Sequence, residues 1–192
     1  MEPIATPSPL AATVALPCAG IQDFDEVVRL YWPRVFRFAL ASLRDGDAAQ
    51  TLAQDCFLRA YRGRAWFRGE SSVHTWLMRI AVNLVRDAAR NRALRFWRLA
   101  RASSVDLSDA GKWLPDRSVS PEARASLQEA VRAVWKSADR LPGKQKTVFL
   151  LRFVEDMDIL EIAAATGMKE GTVKAHLFRA LAAVRERLGK SA

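Results

Sequence analysis

From Trp66 to Arg101 the chain repeats on a helical period, and that stretch governs what the rest can fold into. Val73, Trp76, Leu77, Ile80, Ala81, Leu84, Val85 and Ala88 recur at i, i+3, i+4 and i+7, so they share one face of a helix. An aromatic pair, Trp66-Phe67, and a polar turn, Arg68-Gly69-Glu70-Ser71-Ser72, precede it. Ser71 or Ser72 is placed to cap the helix, its hydroxyl accepting from a backbone N–H that has no intrahelical partner. The opposite face carries Arg79, Asn83, Arg86 and Arg90. Arg92, Arg95, Arg98 and Arg101 follow, with no acid after Asp87. Such a stripe reads either as a solvated helix face or as a surface that follows phosphates and reads bases.

The charge balance points toward a polyanion partner, and because many soluble proteins are simply basic it leaves both readings open. Lys and Arg number 30 against 21 Asp and Glu, a net charge of +9, and both halves of the chain are basic. Most of that excess is arginine, whose planar fork suits bidentate contact with phosphate or guanine. With two Cys and two His, no spacing suggests a zinc site or any other metal. Cys56 falls in an apolar helical pattern as a buried thiol, and the cysteine usage fits a reducing cytoplasm. No apolar run reaches membrane-spanning length. Leu10 to Gly20 has the look of a lipoprotein signal. No Lys or Arg precedes it, however, and Pro17 stands where a small residue is needed, so residues 1–22 read as a flexible Pro/Ala tail.

In chain order, a first helix starts after Asp23 with Phe24, Val27, Val28 and Tyr31 inward, and Pro33 is placed to kink or restart it. Val35, Phe36, Ala39, Leu40 and Leu43 continue the stripe. Arg44-Asp45-Gly46-Asp47 is a turn with Asp47 as cap. A second helix, Ala48 to Arg62, buries Ala49, Leu52, Ala53, Cys56, Phe57 and Ala60, and leaves Gln50, Gln54, Asp55 and Arg59 outside. Periodicity fades between Ala102 and Ser120, where Ser, Asp, Gly and Pro collect. Ser120-Pro121-Glu122 restarts a helix, and Leu141-Pro142 starts another, with Val148, Leu151 and Phe153 inward. No segment alternates like a strand. The pattern predicts an all-α chain of two small helical domains, residues 23–98 and 121–192, joined by a flexible linker at 99–120.

The second domain carries a motif. A short helix, Ile159 to Thr166, ends at Gly167, which can take a left-handed turn. A second helix, from Lys169 or Glu170, buries Val173, Leu177, Ala180, Leu181, Val184 and Leu188. Its outer face offers Thr172, Ala175, His176 and Arg179, flanked by Lys174 and Phe178. This is a helix-turn-helix, which lays its second helix in the major groove. Catalysis is disfavoured. Gly143-Lys144 lacks the rest of a phosphate loop, and His74 and His176, both read as exposed, have no triad or metal partners in the pattern. No cofactor is implied.

Taken in order, these motifs resemble the extracytoplasmic-function (ECF) sigma factors, the small two-domain members of the sigma-70 family, over about residues 22 to 190. Asp47 through Tyr61 resembles the family's DAEDLVQETFLRAW, and Ser71 through Leu84 resembles SSFRTWLYRIARNL. Leu141-Pro142, Phe149-Leu150-Leu151-Arg152, Glu161-Ile162-Ala163 and Gly171-Thr172-Val173-Lys174 resemble its promoter-reading C-terminal domain. The resemblance implies a sigma factor that directs core RNA polymerase to promoters and is held inactive by an anti-sigma factor, often membrane-anchored. It implies that Gln50, Gln54, Asp55 and Arg59 dock on the coiled coil of the largest polymerase subunit, with the flap as a further contact. Phe67, Arg68, Ser71, Ser72, Arg79, Asn83, Arg86 and Arg90 are implied at the −10 element. Thr172, Lys174, Ala175, His176, Phe178 and Arg179 are implied at the −35 element. The free protein is expected to be a monomer in the cytoplasm, or at the inner face of the membrane when its inhibitor is anchored there. One alternative rests on Gly171 to His176, which also looks like the LuxR-type output domain of an autonomous activator. That reading leaves Asp47 to Arg101 unexplained.

Overall fold

The computed structural model describes residues 23–96 and 121–189. The tail, the linker with Trp113 and Leu114, Cys18, Arg98 and Arg101 lie outside them. Among the described residues the chain forms seven α-helices, one 3-10 turn and no strand.

The N-terminal module is α1 (Phe24–Leu43), α2 (Gly46–Gly63), a 3-10 turn at Arg64–Trp66, and α3 (Val73–Phe96). Asp23 caps α1 through Glu26 N at 3.1 Å. The helix runs on through Pro33, which sits exposed, so the expected break does not occur. Arg44 ends α1 in the left-handed region at φ 59°. The cap of α2 is Asp45, accepting from Ala48 N at 3.0 Å, not Asp47. Because α2 begins at Gly46, Asp45 stands at the cap position and Asp47 lies inside the first turn. Ala49, Leu52, Ala53, Cys56, Phe57 and Ala60 are all buried, and small residues let α2 lie close on α1 and α3. Ser72 caps α3, accepting from Thr75 N at 3.1 Å.

The C-terminal module is α4 (Pro121–Asp139), α5 (Gly143–Phe153), α6 (Ile159–Thr166) and α7 (Glu170–Gly189). Pro142 stands just before α5 rather than inside its first turn. Phe153, expected inside, is 54% exposed, because α5 ends there and its ring leans on Phe149 at 4.8 Å. Asp158 and Glu161 form a capping box on α6, and Gly167 closes that helix at φ 71°. A side chain there would be strained, so the residue type is dictated by the turn. Val173, Ala180 and Val184 bury α7 on α5, with Leu177, Leu181 and Leu188 half-buried beside them.

The two modules touch. α6 packs along α3, and α5 reaches α1. As a result α3 is buried on two sides. The expected stripe faces α1 and α2, and a second stripe of His74, Thr75, Met78 and Val82 is also buried.

Candidate nucleic-acid and polymerase interfaces

Three exposed surfaces collect the residues singled out in the sequence. The first is the outer face of α2. Gln50, Gln54, Asp55 and Arg59 are all exposed, with the apolar rings and chains of Leu58 and Tyr61 half out of the surface between them. Beneath this face Cys56 is buried, its thiol donating to the Leu77 carbonyl oxygen at 3.6 Å. Burial pushes that thiol up to about 12, with Arg59 opposing the shift, so it stays protonated and chemically quiet.

The second surface surrounds the turn into α3. Gly69 takes φ 73° and reverses the chain. Phe67 folds back on Trp76 at 5.0 Å, while Trp66 stands 81% exposed. Arg68 is exposed and Ser71 is half-buried. Ser72 spends its hydroxyl on the α3 cap and on Thr75 Oγ1 at 2.9 Å. Arg79, Asn83, Arg86 and Arg90 line the outer face of α3, and Arg90 reaches Asp87 at 3.1 Å. Between α2 and α3 opens a hollow of about 310 Å³, lined by Arg59, Gly63, Trp66, Trp76, Ile80 and Asn83. Two indoles, a guanidinium and a carboxamide around an open hollow suit a flat heteroaromatic ring that can stack and hydrogen-bond at its edge. Periodicity alone assigns Trp76 to the core and passes over Trp66. The signal available for both is the placing of one tryptophan on either side of the polar turn at 68–72.

The third surface is α7. Thr172, Lys174 and Arg179 are exposed, Phe178 is 74% exposed, and Ala175 and His176 are half-buried. Neither histidine is freely exposed as expected. His74 is 5% exposed because the C-terminal module covers it, and His176 Nδ1 is buried without a hydrogen-bond partner. Phe153 and Leu160 add exposed apolar surface elsewhere on this module.

Between the modules lies a set of ion pairs. Glu155, 1% exposed, meets Arg37 Nε at 3.2 Å, His74 Nε2 at 3.3 Å and Arg34 Nε at 3.5 Å. Asp139 pairs with Arg44, and with Lys146 at 3.1 Å. Lys146 Nζ also donates to the Ser42 carbonyl at 3.1 Å. Burial lowers the Lys146 pKa, and its hydrogen bond to Asp139 opposes that shift. Thr75 Oγ1 donates to Glu161 at 3.4 Å. Among the described residues no group of three or more His, Cys, Asp or Glu could hold a metal, and no helix is long and apolar enough to cross a membrane.

A helix-turn-helix beside a second helical module with a basic, aromatic-lined face defines a class: all-helical, two-module proteins that carry a helix-turn-helix. Comparison with known proteins narrows it. Residues 27–98 match Sigma-70 region 2, and residues 132–184 match Sigma-70 region 4. The chain is 33% identical to RNA polymerase sigma-H factor of Pseudomonas aeruginosa, covering 84% of this chain and 83% of that one. It is 31% identical to the ECF RNA polymerase sigma-E factor of Escherichia coli, covering 84% of each. It is 27% identical to the ECF sigma factor SigW of Bacillus subtilis, covering 88% of this chain and 91% of that one. Its fold is similar to that of the sigma factor RpoE solved in complex with the anti-sigma factor NepR from Bartonella quintana. That match has a TM-score of 0.68 at 22% identity and covers 88% of this chain and 98% of that one. The chain belongs to the extracytoplasmic-function sigma factors of the sigma-70 family. Its function is to direct RNA polymerase to promoters, and the match over residues 27–98 removes the autonomous-activator reading.

Proposed function

We propose that the labour is divided between the three exposed surfaces and that no catalytic step falls to this chain. The outer face of α2, with Gln50, Gln54, Asp55 and Arg59, docks on the coiled coil of the largest polymerase subunit. Its mixed polar and acidic character suits a protein partner in a chain otherwise built for polyanions. The turn at Phe67, Arg68, Ser71 and Ser72 and the stripe of Arg79, Asn83, Arg86 and Arg90 handle the −10 element. The outer face of α7, with Thr172, Lys174, Ala175, His176, Phe178 and Arg179, meets the −35 element. Phe153 and Leu160 suit an apolar contact such as the polymerase flap.

The observation that carries this reading is the hollow between Trp66 and Trp76, with Arg59 and Asn83 at its edge. Melting a promoter requires a base to leave the stack, and a hollow walled by indoles stabilises that base once it is out. The protein acts as a monomer in the cytoplasm, restrained by an anti-sigma factor; the similar sigma factor from Bartonella quintana was solved in complex with one. Run-off transcription with purified core polymerase and a promoter library tests the assignment. Wild type initiates at templates sharing a −10 and −35 pair, and Asn83→Ala relaxes the −10 preference. Unchanged −10 preference in Asn83→Ala contradicts it.

A further inference from the structure

The ion pairs between the modules have a feature that module packing alone does not require. Glu155 follows the end of α5, and its side chain is wholly buried. All three basic groups around it come from the N-terminal module: Arg34 and Arg37 from α1, and His74 from the first turn of α3. The Arg34 Nη2 also donates to the Glu155 backbone carbonyl at 3.3 Å. The ring of His74 is stacked on Tyr31, 6.0 Å between centroids and 13° between planes, so the imidazole is held in place from behind. The N-terminal module therefore presents a preformed, three-donor anion site, and an oxygen anion from the C-terminal module fills it.

That arrangement cannot persist on a promoter. By their own names the −10 and −35 elements are centred about 25 base pairs apart, roughly 85 Å along B-form DNA at 3.4 Å per step. Modules that touch through α1 and α5 and through α3 and α6 cannot occupy both. Separation withdraws Glu155 and leaves Arg34, Arg37 and His74 as an empty anion site, with His74 one residue past Val73 and two past the Ser72 cap of the −10 turn. We propose that Glu155 is a stand-in for a DNA phosphate. Arg34, Arg37 and His74 form a binding site for a backbone phosphodiester, which Glu155 fills in the closed chain and promoter DNA fills in the open one. DNA and the C-terminal module then compete for one site, and DNA entry opens the molecule. This rests on the sigma-factor reading of the chain.

The test uses the full chain, a short single-stranded deoxyoligonucleotide of mixed sequence, and small-angle scattering. Glu155→Gln removes the charge and keeps the shape. It is expected to expand the free protein and to tighten oligonucleotide binding about tenfold, because a closed fraction no longer competes. Arg34→Gln with Arg37→Gln is expected to expand the protein equally but to weaken binding, with the salt slope shallower by about 0.7 for each phosphate no longer neutralised. Opposite signs on DNA with the same sign on size are the signature. Expansion in Glu155→Gln without tighter binding overturns the proposal, as does a Glu155→Gln chain that stays compact. If Glu155→Gln does not fold, the arginine pair decides alone, and expansion without weaker DNA binding overturns it. A gain in core-polymerase affinity in place of DNA affinity also overturns it, since the ligand is then an acidic protein surface. Wild-type run-off transcription, run in parallel, reports separately on the sigma-factor reading.

Discussion

Two neighbouring helices of the N-terminal module behave differently. α2 is buried on one side only, and its outer face from Gln50 to Arg59 is polar apart from Leu58. α3 is buried on two, toward α1 and α2 through Leu77, Ala81 and Leu84, and toward α6 through the stripe that begins at His74 and Thr75. The same rule of apolar spacing governs both. It describes α2 fully because α2 has one set of neighbours, all within about forty residues of it in the chain. It describes half of α3 because the other half is covered by residues more than seventy positions away. A covered face that is partly polar leaves no apolar period to read. The inner face of α3 holds a domain together, and the second face holds a contact between modules, the one that the proposed opening would break.

Substitutions on the different faces should therefore fail in different ways. The largest effect is expected inside. Leu77→Ala, at a fully buried position, should cost about 2–5 kcal/mol in chemical denaturation of the full chain. A loss under about 1 kcal/mol would mean that this face is not the core. Next comes the face of α7, which is free as the outer face of α2 is free. Arg179→Ala should cost about 1–3 kcal/mol of −35 binding and relax specificity at a single base. A uniform loss across all −35 sequences would make it a phosphate contact instead. Val82→Asp sits on the second face of α3, where separation of the modules gives the new charge access to water. It should cost about 1 kcal/mol of stability while expanding the free chain in scattering. A loss as large as that of Leu77→Ala, with no expansion, would erase the distinction between the two faces. The smallest structural effect belongs to Gln54→Ala with Asp55→Ala, within about 0.5 kcal/mol of wild-type stability, together with weaker pull-down of core polymerase. Unchanged pull-down would move the docking surface away from α2.

What the sequence made legible follows from the range of the forces involved. Helix positions, the inner faces and the turn at Gly167 are local, and spacing or a single backbone requirement specifies them. Near-local choices are ambiguous in the sequence. Asp45 and Asp47 are both capping residues, and only the turn geometry selects the first. Phe153 looks like core until α5 is seen to end at it. The hollow at Trp66 and Trp76 needs two helix ends and a 3-10 turn in register, which no period records. Glu155 was hidden for the same reason as the second face of α3. An acid in a loop beside Asp156 and Asp158 reads as one of a solvated group, and only the fold brings Arg34, Arg37 and His74 to it.

The most direct test is a distance between the modules, measured by energy transfer between labels at two exposed positions outside the proposed interfaces, Asp25 on α1 and Glu186 on α7. The account predicts a short distance in the free protein. It predicts a much longer one once core polymerase and a promoter carrying both elements are added. A distance that stays short in a complex competent for initiation would contradict it.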